Sequence, residues 1–134
     1  MNAYDYKITL AYTKLKRALK ALDLMASRPL DKDRGNVDAT IQRFEFTIEL
    51  FWKLLKILLE SKGVEVLYPK DVLNAAYKGH LIEDEEAWLN MLKDRNLTSH
   101  TYDEKLADLI YERIKTYVPV FTKTLNSLVE KFDL

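Results

Sequence analysis

The chain has 134 residues, nearly half of them hydrophobic, and its 21 basic residues balance its 21 acidic residues, so the formal net charge is zero. A DNA-coating protein usually shows a large basic excess, which this composition excludes, although a local basic cleft remains compatible with it. The chain has no cysteine and only three scattered glycines, which excludes disulfides, cysteine-based zinc sites and a glycine-rich phosphate-binding loop.

The apolar segments are too short for a membrane protein. No apolar run reaches the ~18 residues that a membrane span needs. The first twenty residues alternate charged and apolar side chains and lack the apolar centre and cleavage site of a signal peptide. We therefore expect a cytoplasmic protein without a membrane partner.

Apolar residues recur with the helical period, and no strand-like alternation persists. The sequence therefore predicts an all-α fold, an up-down bundle of four long helices plus a short one, in a single domain over residues 1–134. The last helix is expected to begin at a capping box, in which Thr101 caps the helix and Glu104 reaches back. The predicted helices cover residues 4–25, 37–62, 69–79, 83–99 and, after the capping box, a fifth segment that ends at 132.

The second helix is apolar around most of its circumference, an arc much wider than the ~100° typical of a surface helix. Two partners could cover this arc, namely the chain's own bundle and a second copy. Alternatively, the helix lies at the centre of its own bundle. Glu49 and Lys53 have the favourable i,i+4 order of a solvent-exposed ion pair. If a second copy covers the arc, the interface residues are Phe46, Leu50, Leu54 and Arg43.

The strongest candidates for chemistry are Arg95 and His100, at the end of the fourth helix. Arginine binds phosphate oxygens with a two-pronged fork, and histidine transfers protons near neutral pH. Cleavage of RNA by its own 2′-hydroxyl requires one group to remove a proton and another to supply one, so two copies of His100 would be needed. The alternative is that Arg95 forms a surface ion pair with Glu85 or Asp94, and that His100 only ends a helix.

The segment 95–102, RNLTSHTY, resembles the R-x4-H-x-Y signature of HEPN proteins, the helical partners encoded beside minimal nucleotidyltransferases. Asn96 matches the polar residue that often follows the arginine. Residues 41–53, IQRFEFTIELFWK, and residues 94–104 are similar to the branch called nucleotidyltransferase substrate-binding proteins. The resemblance covers nearly the whole chain. It implies a HEPN-like bundle that forms a homodimer and assembles with a nucleotidyltransferase, whose own glycine–serine loop and paired aspartates this chain lacks.

The resemblance also implies roles for the motif residues. On the pattern of HEPN ribonucleases, Arg95 would hold the scissile phosphate of an RNA in the dimer cleft. His100 would transfer protons and Asn96 would orient the site, without a metal ion or cofactor. In toxin–antitoxin pairs of this type the partner enzyme transfers AMP to the motif tyrosine, here Tyr102. The name of the branch implies instead a non-catalytic subunit that binds a nucleotide or another substrate, and a purely structural interaction protein is a third interpretation.

Overall fold

The computed structural model describes residues 3–134, and this part of the chain is helical, without a β-strand. The predicted all-α bundle of four long helices and a short one is confirmed, and the predicted bounds of the first four helices lie within two residues of the observed ones. No helix among residues 3–134 is both long enough and apolar enough to cross a bilayer. The helices are α1 (Ala3–Ala26), α2 (Gly35–Ser61), α3 (Pro69–Lys78), α4 (Glu85–Leu97) and α5 (Glu104–Phe132), and a 3₁₀ turn (Thr98–His100) separates α4 from α5.

Helix α2 is the central element, and it packs against each of the other four α-helices. Its Phe51 side chain is fully buried and forms an aromatic cluster with Trp88 of α4 and Phe121 of α5, at ring-centroid distances of 4.6 and 5.6 Å. Edge-on and offset aromatic pairs add specific attraction to the burial of apolar area. The bundle itself therefore covers most of the wide apolar arc, as the central-helix interpretation predicts. Phe46 is an exception, since it remains 48% exposed.

The end of α2 illustrates how the sequence sets a helix boundary. Gly63 has a φ of 84°, a conformation that glycine adopts without the steric penalty of a side chain. The backbone N–H groups of Gly63 and Val64 donate to the carbonyls of Glu60 and Leu59, at 3.0 and 2.9 Å. These bonds satisfy carbonyls that the helix end would otherwise leave unpaired.

The start of α2 is tied to the start of α5. Arg34 precedes α2 in a left-handed conformation, with a φ of 64°. Its guanidinium donates to the Asp108 carboxylate at 2.5 Å and lies 3.7 Å from the Glu104 carboxylate, both in the first turns of α5. The connection between α1 and α2 is thereby held against the segment that follows the 3₁₀ turn.

The end of α4 differs from the prediction. The α-helix ends at Leu97 and not near Ser99, and a 3₁₀ turn follows. The Thr98 hydroxyl donates to the Arg95 carbonyl at 2.6 Å, and the Ser99 hydroxyl donates to the Asn96 carbonyl at 3.3 Å. Such local bonds from serine and threonine side chains compete with the helical pattern and accompany its end.

The predicted capping box at the start of α5 is wrong. Asp103 is the capping residue, and its carboxylate accepts hydrogen bonds from the backbone N–H groups of Lys105 and Leu106, at 3.0 and 3.3 Å. The hydroxyl of Thr101 donates instead to the Thr98 carbonyl, at 3.0 Å. Aspartate and threonine are both favoured at this position, so composition alone did not distinguish the two.

Candidate functional site

The guanidinium of Arg95 lies between α4 and α2. Its Nε atom is 3.4 Å from the Glu49 carboxylate, and its Nη1 atom is 3.6 Å from the Glu45 carboxylate and 3.3 Å from the Thr98 hydroxyl. The predicted alternative, an ion pair with Glu85 or Asp94, is therefore wrong. The contacts of Arg95 with Glu45, Glu49 and Thr98 are longer than the 2.7–2.9 Å of a strong charge-assisted hydrogen bond. They orient the guanidinium without saturating its five N–H donors.

Glu49 is held in place by a neighbour on its own helix, α2. The indole N–H of Trp52 donates to one carboxylate oxygen of Glu49 at 3.2 Å, while the other oxygen faces Arg95. The predicted solvent-exposed pair of Glu49 with Lys53 is therefore wrong, because the carboxylate turns toward α4. Trp52, Glu49 and Arg95 form a connected network that determines where the guanidinium points.

The histidine of the motif lies in the 3₁₀ turn that follows the arginine's helix. Arg95 contacts Thr98, the first residue of this turn, and His100 is its last residue. The His100 side chain is exposed, and its Nδ1 atom lies 3.4 Å from the hydroxyl of Tyr102. The two rings meet edge-on with centroids 6.0 Å apart, and Tyr102 is 84% exposed. The guanidinium, the imidazole and the phenol thus belong to the end of α4, to the 3₁₀ turn and to the segment directly after it.

The residue directly before Arg95 is an anchor that sequence reasoning missed. Asp94 is only 3% exposed, and its carboxylate accepts hydrogen bonds from Arg113 at 2.9 Å and from the Tyr117 hydroxyl at 2.5 Å. Burial, followed by the hydrogen bond to Asp94, raises the pKa of the Tyr117 hydroxyl above its ordinary value. The two hydrogen bonds of Asp94 hold the motif segment against α5. The sequence indicated this contact only by an acidic residue next to the arginine.

Asn96, on the other side of Arg95 in the chain, is exposed. It lines an open groove between α4 and α5 together with Asp94 and Arg113. The second histidine, His80, is exposed at the distant break between α3 and α4, with a φ of 64°, and its carbonyl accepts a hydrogen bond from Lys131. Asn96 therefore belongs to the region of the motif, whereas His80 does not.

The four predicted interface residues have different environments. Arg43 is exposed, Phe46 is 48% exposed and Leu50 is half-buried. Leu54 is fully buried in the core of its own bundle, so the prediction that it lies at an interface is wrong. The helical arc alone could not separate these positions, because it does not show which part of the arc α1, α3, α4 and α5 cover.

Comparison with known proteins identifies the family. A family model described as "Nucleotidyltransferase substrate binding protein like" matches residues 10–130. The curated "Probable ribonuclease HepT" of Haemophilus influenzae is 34% identical over 87 residues, which are 61% of this chain and 60% of that protein. The match thus spans less than two thirds of that relative's length.

Two solved structures resemble the chain over most of its length. A crystal structure of a Thermus thermophilus protein has 37% sequence identity and a TM-score of 0.78, with 85% of this chain and 98% of that chain covered. HI0074 from Haemophilus influenzae, described as having the fold of a substrate-binding domain of a nucleotidyltransferase, has 26% identity and a TM-score of 0.67. That similarity covers 92% of this chain and 97% of the other. The chain belongs to the nucleotidyltransferase substrate-binding protein family, a branch of the HEPN helical bundles.

Proposed function

We propose that this protein is the helical partner subunit of a minimal nucleotidyltransferase, and that its homodimer cuts RNA without a metal ion. The observation that carries the proposal is the arrangement at the end of α4. There Arg95, whose guanidinium is incompletely saturated, shortly precedes the 3₁₀ turn that carries the exposed imidazole of His100. The name of the curated relative, a probable ribonuclease, supports the same reaction class.

The reaction assigns a role to each motif residue. Arg95 binds the non-bridging oxygens of the scissile phosphate, with bonds shorter than its present contacts to Glu45 and Glu49. His100 of one copy removes the proton of the RNA 2′-hydroxyl, and His100 of the second copy donates a proton to the leaving 5′-oxygen. The bond between the 2′-oxygen and phosphorus forms while the bond to the 5′-oxygen breaks. The products are a 2′,3′-cyclic phosphate and a 5′-hydroxyl, with Asn96 orienting the phosphate.

Tyr102 is the proposed site of control by the partner enzyme. Tyr102 is highly exposed, and its hydroxyl lies 3.4 Å from Nδ1 of His100. This hydroxyl attacks the α-phosphorus of ATP in the partner's active site, so that an oxygen–phosphorus bond forms, pyrophosphate leaves and the phenol loses its proton. The attached adenylate then carries negative charge beside His100 and competes with RNA phosphate for Arg95. Mass spectrometry after co-expression with the nucleotidyltransferase should detect the adenylate on the parent chain and not on Tyr102→Phe.

The two histidines of the chain allow a matched test of the cleavage reaction. We would compare the parent, His100→Asn and His80→Asn on single-stranded RNA in the presence of EDTA. Asparagine suits the control because it tolerates the left-handed backbone at position 80. The parent and His80→Asn should release fragments with cyclic phosphate ends, and His100→Asn should not. Equal cleavage by both variants, or cleavage that EDTA abolishes, would contradict the proposal.

A non-catalytic substrate-binding subunit is the second candidate, and one observation favours it. Glu45 and Glu49 place two negative charges beside Arg95, which weakens the attraction of this site for RNA in a chain with zero net charge. On this alternative, titration calorimetry would detect binding of ATP or RNA to the homodimer without any product. Growth arrest on expression of the parent alone, relieved by His100→Asn, would instead support the ribonuclease.

A further inference from the structure

An open groove of about 680 Å³ lies between α4 and α5. The motif residue Asn96 belongs to its wall, whereas the guanidinium of Arg95 faces α2, against Glu45 and Glu49. The neighbouring residue Asp94 lies at its base, with both carboxylate oxygens engaged by Arg113 and Tyr117. The remaining walls are polar or basic: they consist of Asn90, Lys93, Asn96, Arg113 and Thr116, with Leu97 at one side.

The charges of this groove favour an anion. Lys93 and Arg113 contribute two positive charges and Asp94 one negative charge, which leaves a local excess of one positive charge in a chain of zero net charge. Arg113 is 44% exposed although it donates to Asp94. Lys93 is exposed, and it forms no ion pair with any other residue in the range 3–134. Its ammonium group is therefore available to a ligand.

A second depression on the α3 side of α4 gives a useful contrast. It shares Asn90, Lys93 and Asn96 with the groove, but its other charged residues are Lys70, Glu85 and Glu86. The two glutamates cancel the two lysines, so the α3 side offers an anion no excess of positive charge. An anionic chain that contacts Lys93 is therefore favoured on the α5 side.

We propose that the groove between α4 and α5 binds the phosphodiester backbone of the single-stranded RNA that the motif cuts. This inference rests on the proposed ribonuclease function, and it adds a second region of the protein that contacts the RNA. Lys93 and Arg113 bind phosphate oxygens, and such contacts position a nucleic acid without reading its sequence. Asn90, Asn96 and Thr116 donate or accept hydrogen bonds with 2′-hydroxyls and base edges, the groups by which proteins recognise single-stranded RNA.

The test measures binding of a fluorescent uridylate dodecamer to full-length chains that carry His100→Asn, which prevents cleavage. Lys93→Gln should weaken binding about two- to fivefold, as expected for the loss of one exposed ion pair. It should also reduce the slope of log affinity against log salt by about 0.7, the value for one phosphate contact of a single strand. The matched control is Lys70→Gln, which removes the same charge from the depression on the α3 side and should leave both quantities unchanged.

Each other outcome overturns the inference in a distinguishable way. If Lys93→Gln binds the dodecamer as tightly as its parent, and the chain with His100 intact still cuts the dodecamer, the inference about the groove is contradicted. The proposed ribonuclease function is then not affected. Absence of binding and cleavage by the parent contradicts the proposed function as well. If Lys93→Gln weakens binding of ATP but not of the dodecamer, the groove binds mononucleotides. If it changes the mass measured by light scattering, the groove is a contact between copies.

Discussion

The hydroxyl oxygen of Tyr117 lies 2.5 Å from the carboxylate of Asp94, and this bond joins the middle of α5 to the residue directly before Arg95. Both side chains are buried, Asp94 at 3% and Tyr117 at 7% exposure. A buried carboxylate requires hydrogen-bond partners, and Arg113 supplies the second one. The position of the motif along α4 is thereby coupled to the packing of α5.

Replacing Tyr117 with phenylalanine removes this bond while the aromatic ring stays in place. Since the lost bond has a charged acceptor, we expect the free energy of unfolding to fall by about 1.5–3 kcal/mol. Urea denaturation of Tyr117→Phe and of the parent measures the difference. Tyr102→Phe is the control, because Tyr102 is 84% exposed and its loss should change stability by less than about 0.5 kcal/mol. Equal denaturation midpoints for all three chains would contradict a stabilising role of the bond.

The same bond predicts a pH dependence on the alkaline side. The pKa of the Tyr117 hydroxyl is raised by burial and by the hydrogen bond to Asp94, above the value of about 10 of an exposed tyrosine. Below about pH 10 both the folded and the unfolded chain keep this proton. Above it the unfolded chain releases the proton first, which favours unfolding and lowers stability as pH rises. Stability above about pH 10 should fall more steeply for the parent than for Tyr117→Phe, whereas Tyr102→Phe should follow the parent.

The helices could be predicted from the sequence because their signals are local. Gly63 ends α2 through a backbone conformation that glycine favours, and Pro69 begins α3, where a missing N–H has no cost. The junction of α4 and α5 could not be predicted to the residue. There Thr98, Thr101 and Asp103 all have side chains that bond to the nearby backbone, and such local bonds compete with the helical pattern at several positions.

The sequence offers the motif residues as candidates, but it does not predict the groups that surround them. Arg95, His100 and Tyr102 are candidates because they match the R-x4-H-x-Y signature within eight residues of chain. Glu45 and Glu49, which contact Arg95, are about fifty residues away in the sequence, and Tyr117 is 23 residues beyond Asp94. Contacts between different helices depend on how the helices are rotated against each other, and helical periodicity leaves that rotation open.

The network of Trp52, Glu49 and Arg95 predicts the effect of neutralising Glu49. In Glu49→Gln the amide oxygen still accepts the Trp52 hydrogen bond, but the negative charge beside Arg95 is lost. On the proposed function, binding of single-stranded RNA should tighten about two- to fivefold, the effect of one partly exposed charge pair. Fluorescence anisotropy with chains that carry His100→Asn measures this change.

Glu60→Gln is the matched control for Glu49→Gln. It removes the same charge from the same helix, but Glu60 lies 3.6 Å from Lys56, one turn away, and has no contact with Arg95. RNA affinity should stay close to that of the parent. Equal tightening by Glu49→Gln and Glu60→Gln would mean that overall charge, and not the contact with Arg95, controls binding.

Replacing the exposed Phe46 with serine tests the proposed homodimer. Phe46 lies on α2 one residue after Glu45 and is 48% exposed, so a second copy could bury the remaining half of its side chain. Burial of a whole phenylalanine contributes about 1.5–3 kcal/mol, and the half lost from each of two copies in Phe46→Ser amounts to roughly 2 kcal/mol. We expect the dissociation constant of the dimer to rise about thirtyfold. Leu67→Ser is the control, since Leu67 is 69% exposed in the connection from α2 to α3. Sedimentation equilibrium should detect a larger monomer fraction for Phe46→Ser alone, and an unchanged dimer would exclude Phe46 from the interface.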